Sequence, residues 1–382
     1  MNNDGNIIMT KKRIYFFAKV GDLNQIPYGG GEVGNRRTMQ MLKELGYDVC
    51  LINRYYNYDK KSLLTYTKMI IGDMLSWMRM CVTLALKKRK NAVVHISGFT
   101  GSYMPLEFLS VLSSKLLGFN TTYEIRGGGI VGNYEEGNSI YKWMFKQTVK
   151  CANTVFSQGK ENKELTNKVC STVFFHYPNC VNDDFMPATC PQKEDDIIRL
   201  LYLGRISPQK NVHIVVEILN ELKARGYKAQ LDIIGDGEDC KDYVDDIKNY
   251  VEIHHLISSC IFHGKMRKND MIPYLQKAHF FLFPTEEKRE GQSNSLTETM
   301  SFGIIPIASS QGYNKSTIAN DVLIEDTLTA KAYSDKIISI WDKGDVANLS
   351  QEMYNRINTH FTYQQVKVNV SHIYAAIFTD QK

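Results

Sequence analysis

Residues 182–211 read NDDFMPATCPQKEDDIIRLLYLGRISPQKN. The first half carries two prolines and a run of acids, a composition that suits a connector between domains. The second half opens on an apolar run, 198–203, and breaks at Gly204 into a polar loop, as a buried strand does when it gives way to a turn. This stretch decides the fold because it separates two runs of the same alternation. Upstream, strand-like runs at 13–19, 48–53, 93–96, 121–125, 153–157 and 172–177 are spaced by helical stretches that include 32–45, about 62–90 and 103–117. Downstream, strand-like runs at 198–203, 230–234, 261–262 and 280–283 alternate with helices from 212, from about 240 and over 270–277. Strands separated by helices call for parallel crossover units. The expectation is an α/β protein of two doubly wound domains, 1–182 and 197–360, joined by a linker at 183–196, with no internal sequence repeat.

Composition narrows the class. The 382 residues are 43% hydrophobic and 23% charged, with 26 Gly and 9 Pro, which excludes disordered, collagenous and low-complexity chains. The net charge of +5 conceals an asymmetry. Residues 1–190 hold 24 Lys and Arg against 15 Asp and Glu, or +9; the remainder holds 22 against 26, or −4. Such a split predicts two units with different neighbours. The eight cysteines include no CxxC pair and no Cys/His set at zinc spacing, and residues 1–12 are polar without an apolar leader core. Reduced thiols in a cytoplasmic protein are the expectation, with Met9 as an alternative start. Neither an RNP-type motif nor a basic stripe interleaved with aromatics points to nucleic acid.

Residues 69–90, MIIGDMLSWMRMCVTLALKKRK, are apolar but interrupted by Asp73 and Arg79. A spanning helix wants about 20 predominantly apolar residues, so this is a poor one. The favoured reading is a helix packed on the sheet. The alternative is an interfacial helix, with Trp77 and the methionines in lipid and 87–90 on head groups.

Three glycine- or charge-bearing elements stand at strand-to-helix junctions. Gly29 to Gly34 (GGGEVG) and Gly127 to Gly132 (GGGIVG) both match GxGxxG. The first is too far from its strand for a dinucleotide turn, and Asp48 begins the second strand rather than ending it, so the NAD-binding reading loses on context. What survives is a set of bare backbone N–H groups facing an anion at a helix start. In the second half, Arg205 and Lys210 stand five residues apart beyond the strand 198–203, placed to clamp a diphosphate, Arg as a fork and Lys as a point charge. Solvated loop cations are the plain alternative. The third element is EGQSNSLTE, Glu290 to Glu298. With 19 Glu in the chain, one such i,i+8 pair is expected by chance about once, so position carries the weight. Ser293, Asn294 and Ser295 are N-cap types, the helix continues over 296–302, and Gly303 stops it.

Together, Arg205 with Lys210, Glu290 with Glu298, and the early glycine loop resemble the retaining glycosyltransferases of the GT-B fold, of the large family-4 type. The resemblance extends to Tyr177-Pro178-Asn179, where Cys180 replaces a family Gly, and to a last helix at about 361–380 that returns to the first domain. It implies two Rossmann-like domains facing across a cleft, the first receiving the acceptor and the second holding a nucleotide-sugar donor of UDP or GDP type. On that resemblance Arg205 and Lys210 neutralise the diphosphate, Glu290 orients the sugar, and Glu298 accepts from the ribose hydroxyls. Asn294 and Ser295 offer backbone groups to the phosphates, Met266 lies by the base, and Gly30 and Gly31 approach the diphosphate from the first domain. No metal and no cofactor is implied, because the cations do the work of an ion. Many members carry a His where this chain has Arg126, which is therefore the acceptor-side candidate; a loop-ordering pair with Glu124 or Glu135 is its plain alternative. The acceptor is expected to be a saccharide or a lipid-linked saccharide, in cell-surface polysaccharide or glycolipid synthesis. The +9 half then suits an anionic membrane surface and a peripheral, cytoplasmic-face location. The competing readings are a non-catalytic GT-B partner subunit and a nucleotide-sugar epimerase of the same fold.

Overall fold

Unbroken runs of buried apolar residues, rather than alternating ones, make the strands. Phe280–Phe283 is buried at all four positions and Arg13–Ala18 at every position after the arginine, the pattern of parallel sheets covered on both faces. The computed structural model describes residues 11–25, 27, 29–55, 62–193 and 196–379. The alternative start at Met9, Tyr28 of the first glycine loop, and Glu194 and Asp195 of the interrupting stretch lie outside the described residues.

The described residues fall into two units, one ending at Tyr177 and resuming at Lys367, the other running from Pro178 to Val366. In the first, β1 (Arg13–Ala18), β2 (Asp48–Asn53), β3 (Ala92–Gly98), β4 (Asn120–Ile125), β5 (Thr154–Ser157) and β6 (Val173–His176) form a parallel sheet of order β2-β1-β3-β4-β5-β6. In the second, β7 (Ile198–Leu203), β8 (Ala229–Ile234), β9 (Cys260–Gly264), β10 (Phe280–Phe283) and β11 (Ile305–Ala308) form a parallel sheet of order β11-β10-β7-β8-β9. Strand order therefore reverses between β1 and β3 in one sheet and between β7 and β10 in the other. At such a switch point the two crossovers leave in opposite directions and open a crevice at the carboxyl ends of the strands. Each sheet has its own core: Tyr15, Phe17, Tyr123 and Phe145 in the first, Tyr202, Leu219, Phe281 and Ile307 in the second.

The boundary differs from the expected one. The division falls between Tyr177 and Pro178, and the segment expected to link the domains is packed onto the second. Phe185 is buried in the second core at 5.3 Å from the Phe302 ring, and the Tyr354 hydroxyl donates to the Pro187 carbonyl at 2.9 Å. Prolines and acids gave this stretch a linker's composition, but one buried aromatic is enough to anchor it. The last helix, Tyr363–Thr379, contributes Tyr374 to the first unit, where its hydroxyl lies 2.5 Å from His95 Nδ1.

The helix Leu63–Ala85 packs on the helix Met104–Leu116 and on β2. Trp77, expected in lipid under the interfacial reading, turns inward instead and donates to the Ser113 hydroxyl at 3.1 Å. No helix among the described residues is long and apolar enough to cross a membrane.

Candidate functional site

The carboxyl ends of β7 and β10 bring together two of the charges singled out in the sequence. Beyond β7 the chain turns at Gly204, passes the exposed Arg205, and closes a short turn, Pro208–Lys210, that ends in Asn211 at φ +51°. Beyond β10 the chain runs from Pro284 to Glu290. The two loops are tied together: Asn211 Nδ2 donates to the Pro284 carbonyl at 3.0 Å and the Glu286 N–H to the Gln209 carbonyl at 3.0 Å. This registry sets the Lys210 ammonium on the Glu290 carboxylate in a largely buried ion pair, with the ammonium 5.1 Å from the centre of the Phe283 ring. Burial pushes the Lys210 ammonium down to about 8, against the pull of Glu287 and with help from Arg205.

Gln292 and Gly312, which the sequence did not single out, hold this edge together with Asn179 of the Tyr177-Pro178-Asn179 step. Gln292 and Asn179, both buried, clasp each other: the Asn179 N–H donates to Gln292 Oε1 at 2.6 Å, Asn179 Nδ2 to the Gln292 carbonyl at 3.1 Å, and Gln292 Nε2 to the Asn179 carbonyl at 3.3 Å. Gly312, at φ +64°, lies so close that a Cβ there would come within 2.4 Å of the Glu290 carbonyl oxygen. The partners are separated by 113 and 22 positions in the chain, and no local pattern announces either contact.

Glu298 lies on the helix Asn294–Met300, which starts two residues before the expected 296 and stops ahead of Gly303 at φ +65°. Ser293 caps it, accepting from the Leu296 N–H at 3.4 Å, and the Ser293 and Ser295 hydroxyls lie 2.9 Å apart. Asn294 and Ser295 are thus its first two residues. The Glu298 carboxylate is paired with Lys268, whose ammonium lies 5.1 Å from the Phe185 ring centre. Lys268, another residue the sequence did not mark, opens the helix Lys268–Lys277 two positions after Met266, which packs against the second core. At the carboxyl ends of β8 and β9 a cavity of about 520 Å³ is lined by Ile206, Asp236, Glu238, Lys241, His263 and Gly264. Among the described residues no group of three His, Cys, Asp or Glu side chains is placed to hold a metal ion.

In the first unit Gly29 precedes the helix Gly30–Glu44 in extended conformation. Gly31 is held to glycine by Phe99, whose Cε1 lies 2.5 Å from where a Cβ would stand. Arg36 braces the loop after β1, donating to the carbonyls of Val20, Asp22 and Gln25 at 2.8, 2.6 and 2.7 Å. Arg126, at the end of β4, is 5% exposed. Its guanidinium pairs with Glu124 at 2.9 Å, donates to the Thr38 hydroxyl and lies over the Tyr177 ring. The Glu124 carboxylate also faces His95 Nε2 at 2.9 Å. Burial works to raise the Glu124 carboxyl, but Arg126 and His95 outweigh it and hold it below the usual carboxylate range.

Residues 190–359 match the family model described as glycosyl transferases group 1. A curated relative, a GDP-Man:Man(3)GlcNAc(2)-PP-Dol alpha-1,2-mannosyltransferase of Caenorhabditis elegans, is 22% identical over 258 residues, covering 62% of this chain and 54% of the relative. The chain thus spans about half the length of that relative. Among solved structures, sucrose-phosphate synthase from Thermosynechococcus elongatus superposes with a TM-score of 0.72 at 16% identity, over 97% of this chain and 100% of that one. A glycosyltransferase from Rickettsia africae gives 0.70 at 16% identity with the same coverage. Anabaena HepE, solved with UDP, gives 0.68 at 10% identity over 96% of this chain and 100% of its own. Two parallel Rossmann-like sheets and these likenesses agree: the chain has the GT-B fold, and its residues 190–359 are similar to the glycosyl transferases group 1 family model.

Proposed function

We propose that this protein is a retaining, metal-independent glycosyltransferase that moves a sugar from a nucleoside-diphosphate sugar to a saccharide or lipid-linked saccharide. The observation that carries the reading is the Lys210–Glu290 pair at the switch point of the second sheet, with Arg205 exposed beside it. Breaking the bond between sugar and phosphate puts negative charge on the leaving oxygen and positive charge on the sugar. A cation already desolvated and fixed by its neighbours meets the first charge without reorganisation, usually the larger catalytic term. Arg205 and Lys210 are assigned to the diphosphate, Glu290 to the sugar, and Glu298 to the ribose. Asn294 and Ser295 are assigned to the phosphates through their backbone groups, Met266 to the base, and Gly30 and Gly31 to the diphosphate. Donor binding then means an exchange: phosphate displaces Glu290 from Lys210, and a ribose hydroxyl displaces Lys268 from Glu298. Retention follows if the departing phosphate takes the acceptor's proton on the face it leaves, which removes the need for the paired carboxylates of retaining hydrolases.

Arg126 is assigned a positioning role at the carboxyl end of β4 rather than contact with the reacting sugar, because Glu124 and Thr38 already hold its guanidinium. The basic first half is assigned to the acceptor and to an anionic membrane surface on the cytoplasmic face, in polysaccharide or glycolipid synthesis.

The test is a panel of UDP and GDP sugars against the full chain. A matching donor at 100 times its dissociation constant adds about 2.7 kcal/mol of stability, and a thermal shift with one or more donors, followed by turnover, is the expected result. A flat panel, or unchanged turnover in Lys210→Ala and Glu290→Ala, overturns the reading.

A further inference from the structure

The helix Leu63–Ala85 is amphipathic in the inverted sense. The stripe it turns inward, Gly72, Ser76, Met80 and Leu84, follows the four-residue spacing of one helix face and is built half from small residues. Gly72 admits Tyr55, whose Cγ lies 2.2 Å from where a Cβ would stand. Outward it presents Ile70, Ile71, Met74, Leu75, Met78 and Val82, each more than half exposed. The exposed polar positions of the helix are Thr67, Lys68 and Arg79, and no exposed position is acidic. A helix facing water carries charges there instead, and an apolar patch of this extent marks an interaction surface.

A second feature says what covers it. The helix runs directly into four exposed cations, Lys87, Lys88, Arg89 and Lys90. Arg89 and Lys90, with Lys12 and Lys115, line a cavity of about 1040 Å³ beside the amino ends of β1, β3 and β4, and no carboxylate of the described residues lines it. A protein partner would be met equally well by an apolar face alone. An apolar stripe that leads into a cluster of unbalanced cations fits an anionic amphiphile surface, which offers acyl chains and phosphates side by side.

We propose that this face docks on an anionic lipid bilayer, the helix lying in the interface with Ile70, Met74, Met78 and Val82 at the acyl boundary and the cationic cavity holding a lipid phosphate. At about 1.5 Å per residue the 23-residue helix is about 34 Å long. Lying flat, it presents one long contact that needs no spanning segment. The proposal deepens the acceptor side of the transferase reading and rests on it for the purpose of docking, but not for the binding itself.

The experiment is co-sedimentation of the full chain with vesicles of phosphatidylcholine alone and of phosphatidylcholine mixed with phosphatidylglycerol. Two variants accompany it: Ile70→Ser/Met74→Ser/Met78→Ser, at solvent-facing positions that leave the core intact, and Lys90→Gln/Lys115→Gln. Wild type is expected to pellet with the anionic vesicles and to be released by salt. Each cation removed weakens binding about fivefold at low salt, and the serine variant loses binding while keeping its thermal midpoint. Wild type that fails to bind anionic vesicles at low salt, or variants that bind as wild type does, overturn the proposal. So does a wild-type dimer that the serine variant converts to monomer, since a second copy would then be the occupant. Donor turnover with a water-soluble acceptor separates this outcome from the transferase reading: lost docking with intact turnover sinks only the docking, and intact docking without turnover of any donor sinks only the chemistry.

Discussion

The carboxyl edges of the two sheets use similar residues to opposite ends. In the first, Arg126, Glu124, His95 and Tyr374 form a chain of buried groups in which the charges meet one another inside the domain. In the second, Lys210–Glu290 and Lys268–Glu298 are ion pairs at loops and helix starts, with Arg205 exposed beside the first. A buried pair sealed on all sides has no ligand to give way to, and removing one member strands the other. A pair at the rim of a switch-point crevice can trade its partner for a substrate charge. On the transferase reading we propose, a charged cluster at a strand end serves as a site where its partners can be exchanged for those of a substrate.

The largest expected effect tests the sealed side. Arg126→Ala leaves Glu124 buried without its cation and is expected to lower stability by about 3–5 kcal/mol, read from denaturant unfolding. A variant of unchanged stability and lost turnover would break the comparison by making Arg126 a group in contact with substrate. On the exchangeable side, Lys210→Ala is expected to reduce kcat about 10²–10³-fold while the far-ultraviolet circular dichroism stays that of wild type. An equal loss of folding would move Lys210 to the structural class.

Gly312→Ala sharpens the contrast from outside the charged set. The new Cβ meets the Glu290 carbonyl and the residue is held at positive φ, so Glu290 must shift. A displacement of about 1 Å costs up to about 10²-fold in turnover, whereas glycine replacement at a position free to relax would leave kcat/KM unchanged. The smallest effect is the pH dependence. Burial has lowered the Lys210 ammonium to about 8, so the cation is present below that pH and lost above it. Free-enzyme kcat/KM should therefore fall about tenfold per pH unit above 8, and Lys210→Arg, which stays charged, should abolish that limb. A wild-type profile flat to pH 9.5 would show that Lys210 does not titrate in the reaction.

Much of this was legible before any coordinates. Strand-like runs spaced by helices announce parallel sheets because crossover units need both faces covered, and the sequence puts Arg205 and Lys210 in the loop after one strand-like run and Glu290 and Glu298 in the loop and helix after another, with their roles given only by the family resemblance. What stayed hidden is non-local. The Asn179–Gln292 clasp joins residues 113 apart, Lys268 reaches Glu298 across 30 positions, and Gly312 matters through a carbonyl it happens to touch. The stretch at 182–196 read as a linker because composition averages over a segment, while packing depends on single side chains such as Phe185. The helix Leu63–Ala85 read as a core helix because apolar periodicity tells which residues share a face without telling whether anything covers it.

The sequence by itself determined the two-domain α/β architecture, the strand-end positions of the key charges and the uneven charge of the halves. These are local or summed properties: periodicity, turn chemistry and composition. The tertiary structure alone decided which charges pair, how deeply each pair is buried, and which apolar face of the described residues is left exposed. Those depend on what each side chain meets across the fold, where burial strengthens every charge contact and makes every missing partner costly.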